Sequence, residues 1–170
     1  MKNSGEEMLK SKLKKLEKKI LTFPELLEVS GGVCMDNILL AESESELCFP
    51  VSYRWFLMTF GMGSFGDLEI FGLSETEDRK LKRENALPNM MFALKQLRQN
   101  SGLPKEYLPF CGDGVGRYYC IKTAFSEYED GEVCILNMET KHMELLPYSI
   151  TFTDFLSKQV EDIVERRVRE

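Results

Sequence analysis

The chain has few of the residues on which catalysis and metal binding usually rest. One histidine, His142, stands in 170 residues, so a nucleophilic mechanism could draw an imidazole base from a single position. Five cysteines, Cys34, Cys48, Cys111, Cys120 and Cys134, are odd in number, form no C-x-x-C pair and mostly adjoin apolar or aromatic residues. A disulfide framework and a zinc ligand pair are thereby disfavoured, and buried thiols are expected. No apolar run nears the about 20 residues that cross a bilayer. The lysine-rich N-terminus also lacks the apolar centre of a signal peptide. These absences lead us to expect a cytoplasmic, single-domain chain with no metal and no cofactor.

Charge is abundant but unevenly placed. Residues 1–22 carry seven Lys against three Glu, a balance of +4; the remaining 15 basic and 25 acidic side chains leave the body at −10, for a net charge of −6. An acidic body argues against nucleic acid as a ligand and suits a basic protein partner.

One motif invites a wrong conclusion. Gly61, Gly63 and Gly66 spell G-x-G-x-x-G, the dinucleotide fingerprint, which requires a strand before the glycines and a helix after them. Here the order is reversed. Tyr53, Phe56, Leu57 and Phe60 recur at helical spacing after Pro50, while Leu68, Ile70 and Phe71 read as a strand. The glycines therefore follow a helix C-terminus, whose partial negative charge repels phosphate, and Gly61 is expected as a left-handed cap.

The rest of the chain alternates readable elements with turns. Ser4 and Glu7 fit a capping box before Leu9, Leu13, Leu16 and Ile20, the narrow apolar stripe of a basic helix that ends at Phe23-Pro24. That stripe lacks aromatic anchors, so docking on the protein's own core is favoured over membrane insertion. A second helix is expected from Asp36 to Leu47, with Ile38 and Ala41 inward and Glu42, Glu44 and Glu46 on a solvated face. Residues 74–85, almost wholly charged, read as an exposed loop. Asn89 caps a helix through Met91, Leu94 and Leu97. Strands follow at Tyr107–Phe110, Tyr118–Thr123, Val133–Met138 and Met143–Leu146, broken by the glycine turn 112–116, an acidic loop 127–131 and a turn at Thr140-Lys141. Thr151 and Asp154 open a last helix with a broad apolar face from Phe152 to Val164 and three arginines at its end. The turn 112–116 has too few oxygen ligands for calcium and no Lys-Ser/Thr for phosphate, so a hairpin turn is expected.

Taken in order, several of these pieces resemble the SUKH superfamily, the Smi/Knr-type proteins. They are Ile38-x-x-x-Glu42, Phe49-Pro50-x-x-Tyr53-x-x-Phe56-Leu57 and its glycine turn, Leu103-Pro104-x-x-Tyr107-Leu108-Pro109-Phe110, Gly112-Asp113-Gly114, Tyr118-Tyr119, Gly131-Glu132-Val133, and Thr151-Phe152-x-x-Phe155-Leu156. Members often have Leu-Gly where this chain has Ser45-Glu46, and frequently an acid where it has Arg117. The resemblance implies an α+β fold, a curved, mainly antiparallel sheet flanked by helices, with residues 1–22 as a basic helix packed on or extending from a single domain of residues 23–170. It also implies a non-enzymatic immunity protein that binds and neutralises a cognate toxin domain, often a nuclease. The alternative is a regulatory scaffold that binds host proteins in cell-wall synthesis. A third possibility from the residues themselves is a hydrolase using a cysteine with His142.

For a basic toxin, the expected contact residues are Asp67 and Glu69 near the glycine turn, Asp113 and Arg117 at the second turn, and Glu127, Tyr128, Glu129 and Asp130 in the acidic loop. Tyr128 is the expected anchor, because aromatic side chains dominate interface energetics.

Overall fold

A computed structural model describes residues 4–75, 88–123 and 130–170. Among these the chain forms five α-helices and seven strands: α1 (Ser4–Leu21), a 3-10 turn (Pro24–Leu26), β1 (Leu27–Val29), α2 (Met35–Ser45), α3 (Val51–Thr59), β2 (Gly63–Phe65), β3 (Leu68–Ile70), α4 (Met90–Asn100), β4 (Tyr107–Gly112), β5 (Arg117–Lys122), β6 (Glu132–Asn137), β7 (His142–Leu145) and α5 (Phe152–Arg169). The class is α+β, with two antiparallel sheets ordered β1-β2-β3 and β4-β5-β6-β7. The Phe71 N–H donates to the Phe110 carbonyl at 2.7 Å, which laces the end of β3 to β4 and lets the two sheets share one core.

Local chemistry sets the boundaries. The Asn89 side chain accepts from the Phe92 N–H and the Thr151 hydroxyl from the Asp154 N–H, so each satisfies a donor that the first helical turn leaves unpaired. Pro50 stands one residue before α3 as its N-cap. Gly61 closes that helix at φ 77, its N–H reaching back to the Leu57 carbonyl at 3.1 Å, as a left-handed cap requires.

The glycine run is scaffold. Gly66 and Asp67 form the two-residue turn joining β2 to β3, with Phe65 opposite Leu68; a glycine in first place at φ 58 is what a type II′ hairpin turn demands. Upstream, segments 30–32, 60–63 and 72–73 cross at backbone distance. Ser30 N–H donates to Met62 O, Gly31 N–H to Phe60 O and Leu73 N–H to Gly61 O. A Cβ on Gly72 would sit 1.8 Å from the Gly61 carbonyl oxygen, so this junction has no room for any side chain. Sequence reasoning placed one strand after the glycines; the structure places a hairpin there and pairs it with β1, a three-residue strand too short to show alternation.

Aromatic rings fill the interior. Tyr53, fully buried, meets Phe49 and Phe152 edge-on at 5.5 and 5.6 Å, and Phe110 meets Phe152 and Phe155 at 5.1 and 5.3 Å, the edge-to-face geometry that ring quadrupoles favour. Burial holds the Tyr53 phenol well above its usual pKa, and its hydroxyl donates to the Phe71 carbonyl at 2.7 Å. The apolar stripe of α1 is taken up in the same way: Leu13, Leu16 and Ile20 are buried, while Lys12 and Lys19 reach Asp154 and Glu161 of α5. No helix among the described residues is long and apolar enough to cross a membrane.

One helix face departs from expectation. Glu44 and Glu46 are exposed, but Glu42 is buried at 9% exposure. Its carboxylate accepts from the Phe49 N–H at 2.6 Å and from Arg54 Nε and Nη2 at 3.0 and 2.8 Å. The arginine sits one helix away, so periodicity within α2 carries no trace of it.

Candidate partner-binding surface

The expected contact residues separate into different roles. Asp67, in the β2–β3 turn, pairs bidentately with Arg166 at 2.9 and 3.1 Å; that hydrogen bond holds its carboxyl below the usual carboxylate range. Asp130 is engaged internally: its carboxylate accepts from the Thr153 N–H and hydroxyl at 3.2 and 2.7 Å, and its carbonyl accepts from the Ser52 hydroxyl. It therefore ties the start of α5 to α3. Asp113 accepts from the Val115 and Arg117 N–H groups, both at 2.9 Å, which shapes the β4–β5 turn and leaves the residue partly open to solvent. Glu127, Tyr128 and Glu129 lie outside the described residues.

Glu69 is different. It alternates with buried Leu68 and Ile70 on β3, so its side chain stands on the outer face of the small sheet. Register places Ser64 opposite Glu69, and Glu28 of β1 opposite Ser64. Glu28 is exposed as well, and two carboxylates thus flank a serine across three strands. Glu69 also lies near Asp113, because both act on the Cys111 thiol, pushed up to about 12 by burial first and by these two carboxylates after it. Arg117, exposed at the start of β5, adjoins Asp113. The structure therefore gathers Glu69, Asp113 and Arg117, adds Glu28, and assigns Asp67 and Asp130 to contacts within the fold. Glu28 was missed because a three-residue strand gives one outward position, too few to reveal a face.

Three of the five cysteines are poor nucleophiles. Cys111, Cys120 and Cys134 are buried, and burial raises each thiol, so thiolate is scarce at neutral pH. Cys34 is exposed and Cys48 half-buried, a correction to the expectation of buried thiols throughout. Cys34 is also the N-cap of α2, a helix N-terminal placement that sequence did not disclose. His142, exposed, pairs across the ladder with Asn137. Among the described residues no three His, Cys, Asp or Glu side chains could hold a metal ion together. The apolar void between the small sheet and helices α1, α3 and α5, lined by Ile20, Leu27, Phe56, Phe65, Leu156 and Val160, has a volume of about 30 Å³, too small for an organic ligand.

Comparison with known proteins settles the family. The SUKH model described as SMI1-KNR4 cell-wall matches residues 35–156, well over half of the chain. The chain belongs to this SUKH family. Its match begins at α2 and ends within α5, so Gly61, Gly63 and Gly66, both sheets apart from β1, and the outward Glu69, Asp113 and Arg117 all fall on the family domain, while α1 and Glu28 precede it. Among solved structures, a protein from Pseudomonas syringae pv. tomato has the same fold, with a TM-score of 0.57 at 21% identity over 82% of this chain and 93% of that one. No curated protein matches the chain.

Proposed function

We propose that this SUKH protein is a non-enzymatic, cytoplasmic immunity protein that binds a cognate toxin domain and neutralises it by occlusion. Membership in the SUKH family carries the reading. The surface is the outer face of the small sheet and the adjoining turn, where Glu28, Glu69 and Asp113 present negative charge. Glu28 and Glu69 have no ion-pair partner among the described residues. A toxin that cleaves nucleic acid needs a basic groove to hold phosphates, and acids facing such a groove speed encounter and fix register. Arg117 at the rim discriminates among partners by repelling those that are basic at that point. The loop residues Glu127, Tyr128 and Glu129 belong to the proposal as a second contact, with Tyr128 as its anchor.

Co-expression with the toxin encoded beside this gene tests it. Growth is rescued by the wild-type chain, and rescue weakens with Tyr128→Ala or with charge reversal at Glu69. If no neighbouring gene encodes a toxin, and the protein retrieves none, the immunity reading fails.

The description of the matching family favours a second reading, a regulatory scaffold in cell-wall synthesis that binds host proteins. Retrieval of a cell-wall enzyme or its regulator, with no toxin gene adjacent, selects that reading.

A further inference from the structure

Two of the five cysteines face each other across the inner strands of the large sheet. Register sets Cys120 of β5 directly opposite Cys134 of β6, and both are buried. Cys111 stands opposite Tyr119 instead, and Cys34 and Cys48 lie outside the sheets.

Flanking bonds fix the kind of pair. Met138 N–H donates to Gly116 O at one end of the β5–β6 ladder, and at the other Thr123 N–H donates to Glu106 O, away from β6. Alternation along the ladder then makes Cys120 and Cys134 a hydrogen-bonded pair, with Cα atoms about 5.5 Å apart. A disulfide spans Cα separations of about 4.4–6.8 Å, so the backbone spacing already suits one. The Cβ atoms of such a pair also stand about 5.5 Å apart, whereas a disulfide draws them to about 3.8 Å. A bond here forms under strain, and strained disulfides are the labile, regulatory ones.

Access comes from the sheet edge. On its other side Cys134 pairs with Leu145 of β7, a four-residue edge strand whose leucine is 76% exposed. Short edge strands open at low cost, and opening there brings solvent to Cys134. Burial raises the Cys134 thiol and Glu132 adds to it, while Lys122 and a hydrogen bond from the Tyr107 hydroxyl pull the other way. Burial also raises Cys120, and Cys134 raises it further, as neighbouring sulfurs require. Thiolate is scarce while the sheet is closed, so reaction waits on that opening.

We propose that Cys120 and Cys134 form a reversible cross-strand disulfide in response to hydroperoxides, a redox lock on the centre of the four-stranded sheet. The Cys134 thiolate attacks one peroxide oxygen; the O–O bond breaks, the other oxygen leaves and takes up a proton, and the sulfur becomes a sulfenic acid. Cys120 then attacks that sulfur, the S–S bond forms, and the hydroxyl leaves with the Cys120 proton as water. Two thiols are oxidised for each peroxide reduced. A dithiol reverses the bond by exchange, and until it does, β5 and β6 stay joined.

Peroxide treatment of the native chain, followed by unfolding, alkylation of the remaining thiols and peptide mass mapping, tests the proposal. The peptides of Cys120 and Cys134 are expected as one linked pair, lighter by two hydrogens than the two thiol peptides together, and dithiothreitol frees both. Cys34→Ser leaves this result unchanged. Cys120→Ala removes the second thiol, so Cys134 goes on to a sulfinic acid that dithiothreitol does not reduce. Should that variant fail to fold, the wild-type map alone decides. Wild type in which both thiols survive peroxide overturns the proposal, as does linkage of Cys134 to a different cysteine, its oxidation to sulfinic acid beside an intact Cys120, or a bond that dithiothreitol leaves closed. The experiment needs no toxin, so its failure leaves the immunity reading untouched.

Discussion

Two acid–arginine pairs join separate elements of this molecule, and they differ chiefly in depth. Glu42 and Arg54 join α2 to α3 with side chains 10% and 15% exposed, whereas Asp67 and Arg166 join the β2–β3 turn to α5 with side chains 67% and 60% exposed. Each arginine faces both carboxylate oxygens, Arg54 side-on through Nε and Nη2 and Arg166 end-on through Nη1 and Nη2. The buried carboxylate also accepts a backbone N–H from Phe49. Depth gives the two pairs different roles. Removing one partner of the buried pair strands a charge away from water, while removing one of the exposed pair returns both groups to solvent. The first pair is therefore part of the fold, and the second adds little to it.

The largest effect is expected at Arg54. Arg54→Met leaves the Glu42 carboxylate unpaired and lowers stability by about 3–5 kcal/mol, measured by urea unfolding. Glu42→Leu combined with Arg54→Met recovers much of that loss, but not the Phe49 N–H, which then has no acceptor. A neutral hydrogen bond at the same depth sharpens the scale: Tyr53→Phe keeps the ring packing, removes the bond to Phe71 and costs about 1–2 kcal/mol in the same assay. A smaller change of opposite sign belongs to Glu46, the C-cap of α2 at φ 58. A left-handed position favours glycine, and Glu46→Gly raises stability by about 0.5–1 kcal/mol, partly offset by lost attraction to Arg98.

The exposed pair should register least. Asp67→Asn leaves the melting temperature at neutral pH unchanged within error. Because the carboxyl of Asp67 is held low by the Arg166 hydrogen bond, whatever it contributes is present above the ordinary carboxylate pKa and fades as pH falls through the lowered one. Wild type and variant therefore converge in acid. A large neutral-pH loss in Asp67→Asn would break the distinction between the two pairs.

Much of the architecture was legible in the sequence because the signals were local. Asn89 and Thr151 announce helix starts through their own side chains, the reversed order of helix, glycines and strand excludes a dinucleotide site, and the spacing from Phe152 to Val164 marks the core face of α5. What stayed hidden depends on distant partners. Glu42 reads as a solvated residue until α3 brings Arg54 over it, and Asp130 reads as a loop acid until α5 turns the Thr153 N–H and hydroxyl toward it. The candidate surface was half legible for the same reason. Acid type and turn position pointed to Glu69 and Asp113, but sheet register alone adds Glu28, and ion pairing alone sets Asp67 apart from them.

The central claim is that the outward carboxylates of the small sheet meet a basic toxin. Titration calorimetry of the purified toxin domain into wild type and into the Glu69→Lys/Asp113→Lys variant, at two salt concentrations, addresses it most directly. The account predicts that affinity falls at least about tenfold in the variant and that the variant is the less salt-sensitive of the two. Equal affinity and equal salt dependence in the two proteins would contradict it.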